Sequence, residues 1–516
     1  LNISPIIQKA GRFPRSLICL ALGALGALAM APYYFWPVLV LSLSGFYLLL
    51  AHTHSAWRSG LYGWLFGFGY FFTGLFWVKN ALLVDGNPFS WIWPLAVAGL
   101  PSLLAFFMAV GAFAAKRCAD FKTVPGFLSF TAFLGLTEWA RGFVFTGYPW
   151  NLFGYTWVDT LAMIQNVAVG NIFFLTWLTI LWLSLPGFLI LRRNLKRADH
   201  FLTGAVLISA LLCLVFGIIR LQTASIETVP DVQIHIVQPN IAQSEKWDRS
   251  ETARHFLKMV DLSKPDENTK SLRTIIVWPE TALSFWMTQD ATAMDLLTDM
   301  LKSYPGEAVL VTGLLRVEVE TKSYFNSLVM IDKNGSITNI YDKHHLVPFG
   351  EYIPFQKWIP LKPVVEFSGF RTGIGAQTFE ALGIKYSPVI CYEIIFPGAV
   401  TGMVAPDLII NVTNDAWYGV SAGPYQHFDQ AVVRAVEEGI PVVRSANTGF
   451  SGMIDSLGYV YEKSRLFREY EKTLALPTKI MSFNAQIIPK DIIFAGLMLL
   501  IASFGFFQNC LKRDKP

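Results

Sequence analysis

The chain is 516 residues long, 53% hydrophobic and only 15% charged, with a mean hydropathy of +0.43 and a net charge of +4. So much apolar content exceeds what a soluble globular chain carries, which excludes a purely water-soluble protein. The small positive balance reads as a signal of membrane topology and argues against nucleic acid as a partner.

Uncharged apolar blocks run from Ser16 to Ala31, Phe35 to Ala51, Gly60 to Val78, Trp91 to Ala115, Val167 to Leu191, Phe201 to Ile219 and Ile492 to Phe507. Each is near the ~20 residues that cross a hydrocarbon core. An eighth block, Pro125 to Phe145, is interrupted near one end by Glu138 and Arg141. The pattern predicts eight transmembrane helices, seven within residues 1–220 and the last within 491–516, separated by a long polar segment, 221–490. Basic residues are retained on the cytoplasmic side of a membrane. Lys9, Arg12 and Arg15, then Arg58, then Lys116, Arg117 and Lys122, then Arg192, Arg193, Lys196 and Arg197, then Lys512, Arg513 and Lys515 fall in alternate loops, whereas the opposite short loops hold only Lys79 and Arg141. Both ends are therefore expected in the cytoplasm and 221–490 outside it. Ala27-Leu28-Ala29 and Ala29-Met30-Ala31 have the form of a signal-peptide cleavage site, but Pro32 follows directly and a second span begins at once, so a retained helix is expected.

Within 221–490, β-branched runs alternate with helical patterns. Strands are predicted over Val232–Gln238, Thr274–Trp278, Ala308–Thr312, Ser327–Ile331, Ile337–Tyr341, Ser387–Ile390, Leu408–Val412 and Val442–Ser445. Helices are predicted over Thr252–Ser263, Ala293–Lys302 and His427–Glu438, an alternation that predicts a layered α/β domain. Such sheets place their sites beyond strand ends. Glu280 ends Val277-Trp278-Pro279-Glu280, Lys343 follows the strand ending at Tyr341, and Cys391 follows Ser387–Ile390. Cys391 is also the one cysteine of five in this segment, so no disulfide forms within it and its thiol is either buried or employed.

Singly, each of the three has an ordinary structural reading: a cap, a solvated cation, core filler. Together they suit one reaction. A thiol of pKa ~8.5 is mostly protonated near neutrality, so a carboxylate must take its proton as it attacks a carbonyl. Glu280 is the expected base. The oxyanion that forms needs fixed donors, and Lys343 with the backbone amide of Tyr392 are the expected ones. No histidine-rich metal spacing competes with this set, and neither a metal nor a cofactor is expected.

Trp278-Pro279-Glu280, the segment around Lys343 and Cys391-Tyr392-Glu393 resemble the Glu-Lys-Cys motifs of the nitrilase superfamily, whose fold is an α-β-β-α sandwich. Seven spans, an outer domain of this type and a terminal span resemble the apolipoprotein N-acyltransferase family. Gln243–Asp248, Asn411–Gly419, Gly423–His427, Arg444–Gly449, Glu138–Gly142 and Thr146–Trp150 match the same family; Tyr148 and Ala140 depart from its commoner residues. The resemblance implies a nucleophile at Cys391, a base at Glu280, oxyanion stabilisation by Lys343, a supporting carboxylate at Glu351, and Trp247, Tyr392 and Glu393 around the site. It implies a ping-pong transfer of an acyl chain from a phospholipid, phosphatidylethanolamine-like, through a Cys thioester to the α-amine of a diacylglyceryl-cysteine apolipoprotein, at the periplasmic face of a bacterial inner membrane.

A thioester meant for an amine must be kept from water. The run from Pro348 to Phe370 holds Phe349, Tyr352 and Trp358 among its prolines and aromatics, a composition suited to an interfacial lid, and Trp417-Tyr418 is a smaller stretch of the same kind. Packing of these aromatics on the domain itself is the alternative. Glu138 and Arg141, spaced i and i+3, are expected to pair on one helix face, with a phospholipid head-group contact for Arg141 as the lesser reading. Two other functions compete. A membrane-tethered amidase of nitrilase type would need one anchor rather than eight, and a transporter would need charges within its spans.

Overall fold

The computed structural model describes residues 12–84, 89–192, 194–246, 248, 250–265, 269, 272–354, 369–480 and 489–513. The chain divides into two compact units, one of residues 1–79, 93–223 and 483–516, the other of residues 80–92 and 224–482.

In the first unit a helix occupies every apolar block: α1 Arg12–Gly26, α2 Val38–Ala51, α3 Ala56–Gly74, α4 Trp93–Cys118, α5 Val124–Arg141, α6 Val167–Leu191, α7 Arg197–Thr223 and, last in the chain, α11 Lys490–Arg513. Among the described residues, Ser90–Cys118, Val167–Leu191, Arg197–Thr223 and Lys490–Phe507 are long and apolar enough to cross a membrane; a pair bent by 54°, Ala56–Gly74 with Phe76–Leu82, makes a fifth, and Phe13–Ala29 and Val38–Ala51 are shorter apolar helices. Where dispersion rather than water drives packing, small residues let backbones approach. Gly23 of α1 and Gly69 of α3 do so: a Cβ there would lie 1.9 Å from the Phe66 carbonyl oxygen and 2.1 Å from that of Leu20.

The second unit is a four-layer α/β sandwich. Its strands are β1 Thr228–Gln238, β2 Arg273–Val277, β3 Leu283–Ser284, β4 Glu307–Glu318, β5 Ser323–Ile331, β6 Ile337–Asp342, β7 Phe379–Ala381, β8 Ile384–Ile390, β9 Leu408–Thr413, β10 Val442–Ala446, β11 Gly452–Ile454, β12 Val460–Lys463 and β13 Tyr470–Pro477. One sheet has the order β13-β1-β2-β4-β5-β6, with β3 beside β4; the other is β12-β11-β10-β9-β8-β7. Each has a parallel centre, β1-β2-β4 and β8-β9-β10, and antiparallel flanks. Parallel strands buried on both faces read as unbroken apolar runs, which is why the central strands were legible; of the antiparallel flanks β5 and β6 were predicted, whereas β7, β11, β12 and β13 were not. The period of two divides each strand between two cores. Ile234, Ile236, Ile275, Val277, Val309 and Val311 face the other sheet's Tyr386, Ile390, Leu408, Ile410 and Val412. Val237, Ile276, Trp278 and Leu310 share the second core with Phe256 and Met259 of helix α8 Thr252–Leu262 and with Leu297 and Leu301 of α9 Ala291–Lys302. Helix α10 Gly423–Glu438 covers the second sheet at β10 and β11 and starts one turn before the predicted His427.

Residues 80–92 belong to this α/β unit, a departure from a division at residues 220 and 490. Asn80 supplies one reason: its Nδ2 donates to the Tyr418 carbonyl at 2.7 Å.

Candidate active site

Glu280 lies three residues beyond the end of β2, on a turn pressed onto β4. The Trp278 amide donates to the Val311 carbonyl (2.9 Å) and the Gly313 amide to that of Pro279 (3.1 Å). Position 313 has to be glycine, because a Cβ there would stand 2.3 Å from the Thr281 nitrogen and 2.6 Å from the Glu280 Cα. Lys343 follows β6 directly and is anchored by its amide to the Asn326 carbonyl of β5 at 2.8 Å. Its ammonium lies 2.9 Å from Glu351 and 3.8 Å from Glu280, with 1% of the side chain exposed. Glu351 winds the 343–351 loop around its own carboxylate, which accepts from Lys343 Nζ at 3.0 Å, Asn326 Nδ2 at 2.9 Å and the Val347 amide at 2.8 Å.

Cys391 follows β8 at the start of the tight turn Cys391–Ile395. Its backbone is left-handed, with φ of 51°, a conformation costly for a side-chain-bearing residue and one that persists only when its surroundings over-determine it. Two anchors do that here. From one side His427 of α10 places Nε2 3.2 Å from the Cys391 carbonyl; because a carbonyl only accepts, this nitrogen carries the hydrogen. The other His427 nitrogen lies 2.8 Å from Asp415, which Arg444 also holds at 2.8 Å, and all three side chains are fully buried. From the other side Glu393 clips the turn to the lysine loop. Its carboxylate accepts from the amides of Ile390 (2.8 Å), His344 (2.8 Å) and His345 (3.1 Å) and from the Tyr341 hydroxyl (2.8 Å). The Tyr392 ring is buried against Phe396 and His345.

The charges form one coupled group. Burial pushes the Cys391 thiol well above its ordinary value, the Glu280 charge adds to this and Lys343 opposes it. Burial also raises Glu280; Lys343 lowers it, Glu351 raises it, and Asn326 and Lys246 lower it. For Lys343, burial alone would lower the pKa, but the carboxylates of Glu351 and Glu280 outweigh it and hold the ammonium charged. The thiol is thus held protonated beside a carboxylate made more basic than usual, the arrangement in which a base removes the proton as attack begins.

Glu280, Lys343, Glu351 and Cys391 come together. Three further participants were not legible as such. Asn326 donates through Nδ2 to Glu280 (2.8 Å) as well as to Glu351. Lys246 donates to the Glu280 carbonyl at 3.0 Å, and burial pushes its pKa down to about 8 against the opposing charges of Glu280 and Cys391. The third is the Asp415–His427–Arg444 group. Lys246, Asp415, His427 and Arg444 lie inside matched motifs that marked them only collectively, whereas Asn326 sits mid-strand with no signal.

The remaining residues separate. Trp247 and Trp358 lie outside the described residues. Phe349 is half exposed at the loop tip, with φ of 63°. Tyr352, read as part of a lid, instead packs beside Leu315, Leu346 and Phe370 of its own domain. Trp417 and Tyr418 form the turn Asp415–Tyr418, with the Tyr418 ring edge-on to His427 at 5.7 Å. Arg141 lies in the helical unit, 1% exposed. Its guanidinium donates to both Glu138 oxygens and to the carbonyls of Tyr148 and Trp150, which leaves it a helix-end anchor with little to offer a lipid head group. Cys391, Asp415 and His427 do bring three ligand atoms within 4.8 Å of one another, but the Arg444 guanidinium on Asp415 opposes a cation there.

The apolipoprotein N-acyltransferase N-terminal domain model matches residues 22–185, and the carbon-nitrogen hydrolase model matches residues 233–479. An apolipoprotein N-acyltransferase of Rhodopseudomonas palustris is 36% identical over 524 residues, covering 97% of each chain. The chain belongs to the apolipoprotein N-acyltransferase family. It is therefore an acyltransferase of lipoprotein maturation built on a nitrilase-like fold. Other members of the apolipoprotein N-acyltransferase family that it resembles include those of Allorhizobium ampelinum, 38% identical over 88% of each chain, and Brucella melitensis, 40% identical over 77% of this chain and 76% of that one. Among solved structures, a CN-hydrolase superfamily protein of Xanthomonas campestris is 20% identical with a TM-score of 0.35, over 47% of this chain and 89% of that one. Saccharomyces cerevisiae Nit3 is 15% identical with a TM-score of 0.37, over 48% and 93%.

Proposed function

We propose that Cys391 is the acyl-carrying nucleophile, Glu280 its general base and Lys343 the ammonium that stabilises the oxyanion, with a phosphatidylethanolamine-like phospholipid as donor and a diacylglyceryl-cysteine apolipoprotein as acceptor. The observation that carries this is the convergence of Glu280, Lys343 and Glu351 into one buried charge group coupled to a Cys391 held in a left-handed turn. In the first half-reaction the sulfur attacks the ester carbonyl while its proton passes to Glu280, Lys343 meets the developing oxyanion, and the lysophospholipid leaves with that proton. The acyl group waits as a thioester. In the second, the acceptor amine attacks, Glu280 takes a proton, and the C–S bond breaks as the amide forms.

Glu351 holds Lys343 charged and aimed, and Glu393 and His427 hold the turn. The eight apolar blocks span the bacterial inner membrane with both ends in the cytoplasm, and residues 221–490 act in the periplasm. Support for this topology comes from the alternation of basic loops and from the apolar helices found at those blocks. Mass spectrometry of the full chain incubated with phospholipid tests the reading. A fatty acyl group on the Cys391 peptide, absent from Cys391→Ala, is the expected result; lipoprotein N-acylation at the normal rate by Cys391→Ala would sink it.

A further inference from the structure

Asn326 is 3% exposed, and its amide orientation is settled by chemistry rather than by convention. Two carboxylates flank it, Glu280 Oε1 at 2.8 Å and Glu351 Oε1 at 2.9 Å, and ionised carboxylates only accept, so the NH2 end must face both. That leaves Oδ1, which is buried and has no hydrogen-bond partner among the described residues. Buried acceptors are nearly always satisfied, so one left open in a site points to a donor supplied from elsewhere. The oxygen and nitrogen of a planar amide are about 2.3 Å apart, so Oδ1 lies that close to the nitrogen that bridges Glu280 and Glu351. Lys343 is not that donor: its ammonium goes to Glu351 and Glu280.

Resting on the acyl-transfer reading above, the second substrate brings the missing donor. A neutral primary amine carries two N–H groups and one lone pair. During aminolysis the lone pair forms the C–N bond, one proton goes to Glu280, the C–S bond breaks with its electron pair returning to Cys391, and the other N–H survives into the amide. The phospholipid ester that reacts first has no such hydrogen at its reacting carbon. We infer that Asn326 is a binding residue for the acceptor, its Oδ1 accepting the amine N–H that is retained while Glu280 takes the one that is lost. Held at both hydrogens, the amine turns its lone pair toward the thioester carbon. One asparagine thereby links the base to the nucleophile it serves.

The two half-reactions separate the inference from a purely structural role. In the full-length enzyme, thioester formation on Cys391 is followed with labelled phosphatidylethanolamine, and its discharge is followed with a diacylglyceryl-cysteine peptide bearing either a free or an N-methylated α-amine. If Asn326 only spaced the carboxylates, Asn326→Ala would slow both halves by the same factor, because Glu280 and Lys343 serve both. The expected result is a discharge slowed by roughly 5- to 10-fold more than acylation, the worth of one ordinary hydrogen bond. The preference for the free over the N-methylated amine, which has no second N–H to give, is expected to shrink by a similar factor. Equal slowing with an unchanged preference overturns the inference and leaves the acyl-transfer reading intact; absence of any Cys391 thioester in the wild type overturns that reading itself. A second measurement needs no variant: wild-type enzyme that consumes the N-methylated acceptor as fast as the free amine also overturns the inference.

Discussion

Replacing Glu393 by glutamine changes one oxygen to an NH2 group, and the effect can be worked from its contacts. Oε1 accepts from three donors, the amides of His344 and His345 and the Tyr341 hydroxyl, and also lies 2.7 Å from His344 Nδ1, while Oε2 accepts from the Ile390 amide immediately before the nucleophile. The glutamine oxygen will keep the three-donor side. Its NH2 then faces the Ile390 N–H, donor against donor. One charge-assisted bond is lost, roughly 1.5–3 kcal/mol, and a buried donor is stranded, roughly 1–3 kcal/mol more. Together that is a large share of the ~5–15 kcal/mol that holds a domain folded. Because the clip joins the lysine loop to the Cys391 turn, we expect thioester formation to slow by about 100-fold or more, the effect of an ångström-scale misplacement. The same carboxylate has a pH signature. Burial alone would raise its pKa, but the hydrogen bond and charge of His344, the Ile390 amide and Lys343 outweigh that and hold it below the ordinary range. Its contribution to stability is therefore fully present above the ordinary glutamate pKa of ~4.3 and lost as pH falls through the lower folded value. The assay is thermal denaturation of the full chain in detergent alongside the rate of Cys391 acylation. Glu393→Gln that denatures at the wild-type midpoint and acylates at the wild-type rate refutes the clip.

Two other changes probe the base. Gly313→Ala forces a Cβ against the backbone of Thr281 and Glu280, which no rotamer relieves, so the turn must shift; we expect about 1–3 kcal/mol of destabilisation and a marked loss of acylation, measured by the same two assays. Glu280 must be ionised to accept the thiol proton, so acylation rises with pH through its pKa, and burial places that limb above the ordinary carboxylate range. Lys246→Met removes a charge that lowers the Glu280 pKa, so a pH–rate profile of acylation is expected to show the acid limb displaced to higher pH; an unmoved limb would count against the coupling.

Much of the α/β unit was legible because its physics is local. The central strands announce themselves as apolar β-branched runs, and Glu280, Lys343 and Cys391 stand where those runs stop. Several boundaries and partners were not, since they depend on neighbours distant in sequence. β7 and β11 have three residues each and exist through pairing with β8 and β10. Tyr352 carries the composition of an interfacial aromatic, yet Leu315, Leu346 and Phe370 give it a place on the domain. Arg141 and Glu138 showed their spacing, but only the fold brings the carbonyls of Tyr148 and Trp150 onto the same guanidinium.

The order of residues alone determined the apolar blocks, the α/β alternation and the identities of the thiol, carboxylate and ammonium, because hydropathy, periodicity and acid–base chemistry belong to single residues or short windows. Tertiary structure alone decided how those groups act on one another. It set Cys391 in a left-handed turn clamped by His427 and Glu393, put Lys343 between two carboxylates, and left one buried oxygen of Asn326 without a hydrogen-bond partner among the described residues. Hydrogen bonds and pKa shifts depend on separation and burial, and a linear chain possesses neither until it folds.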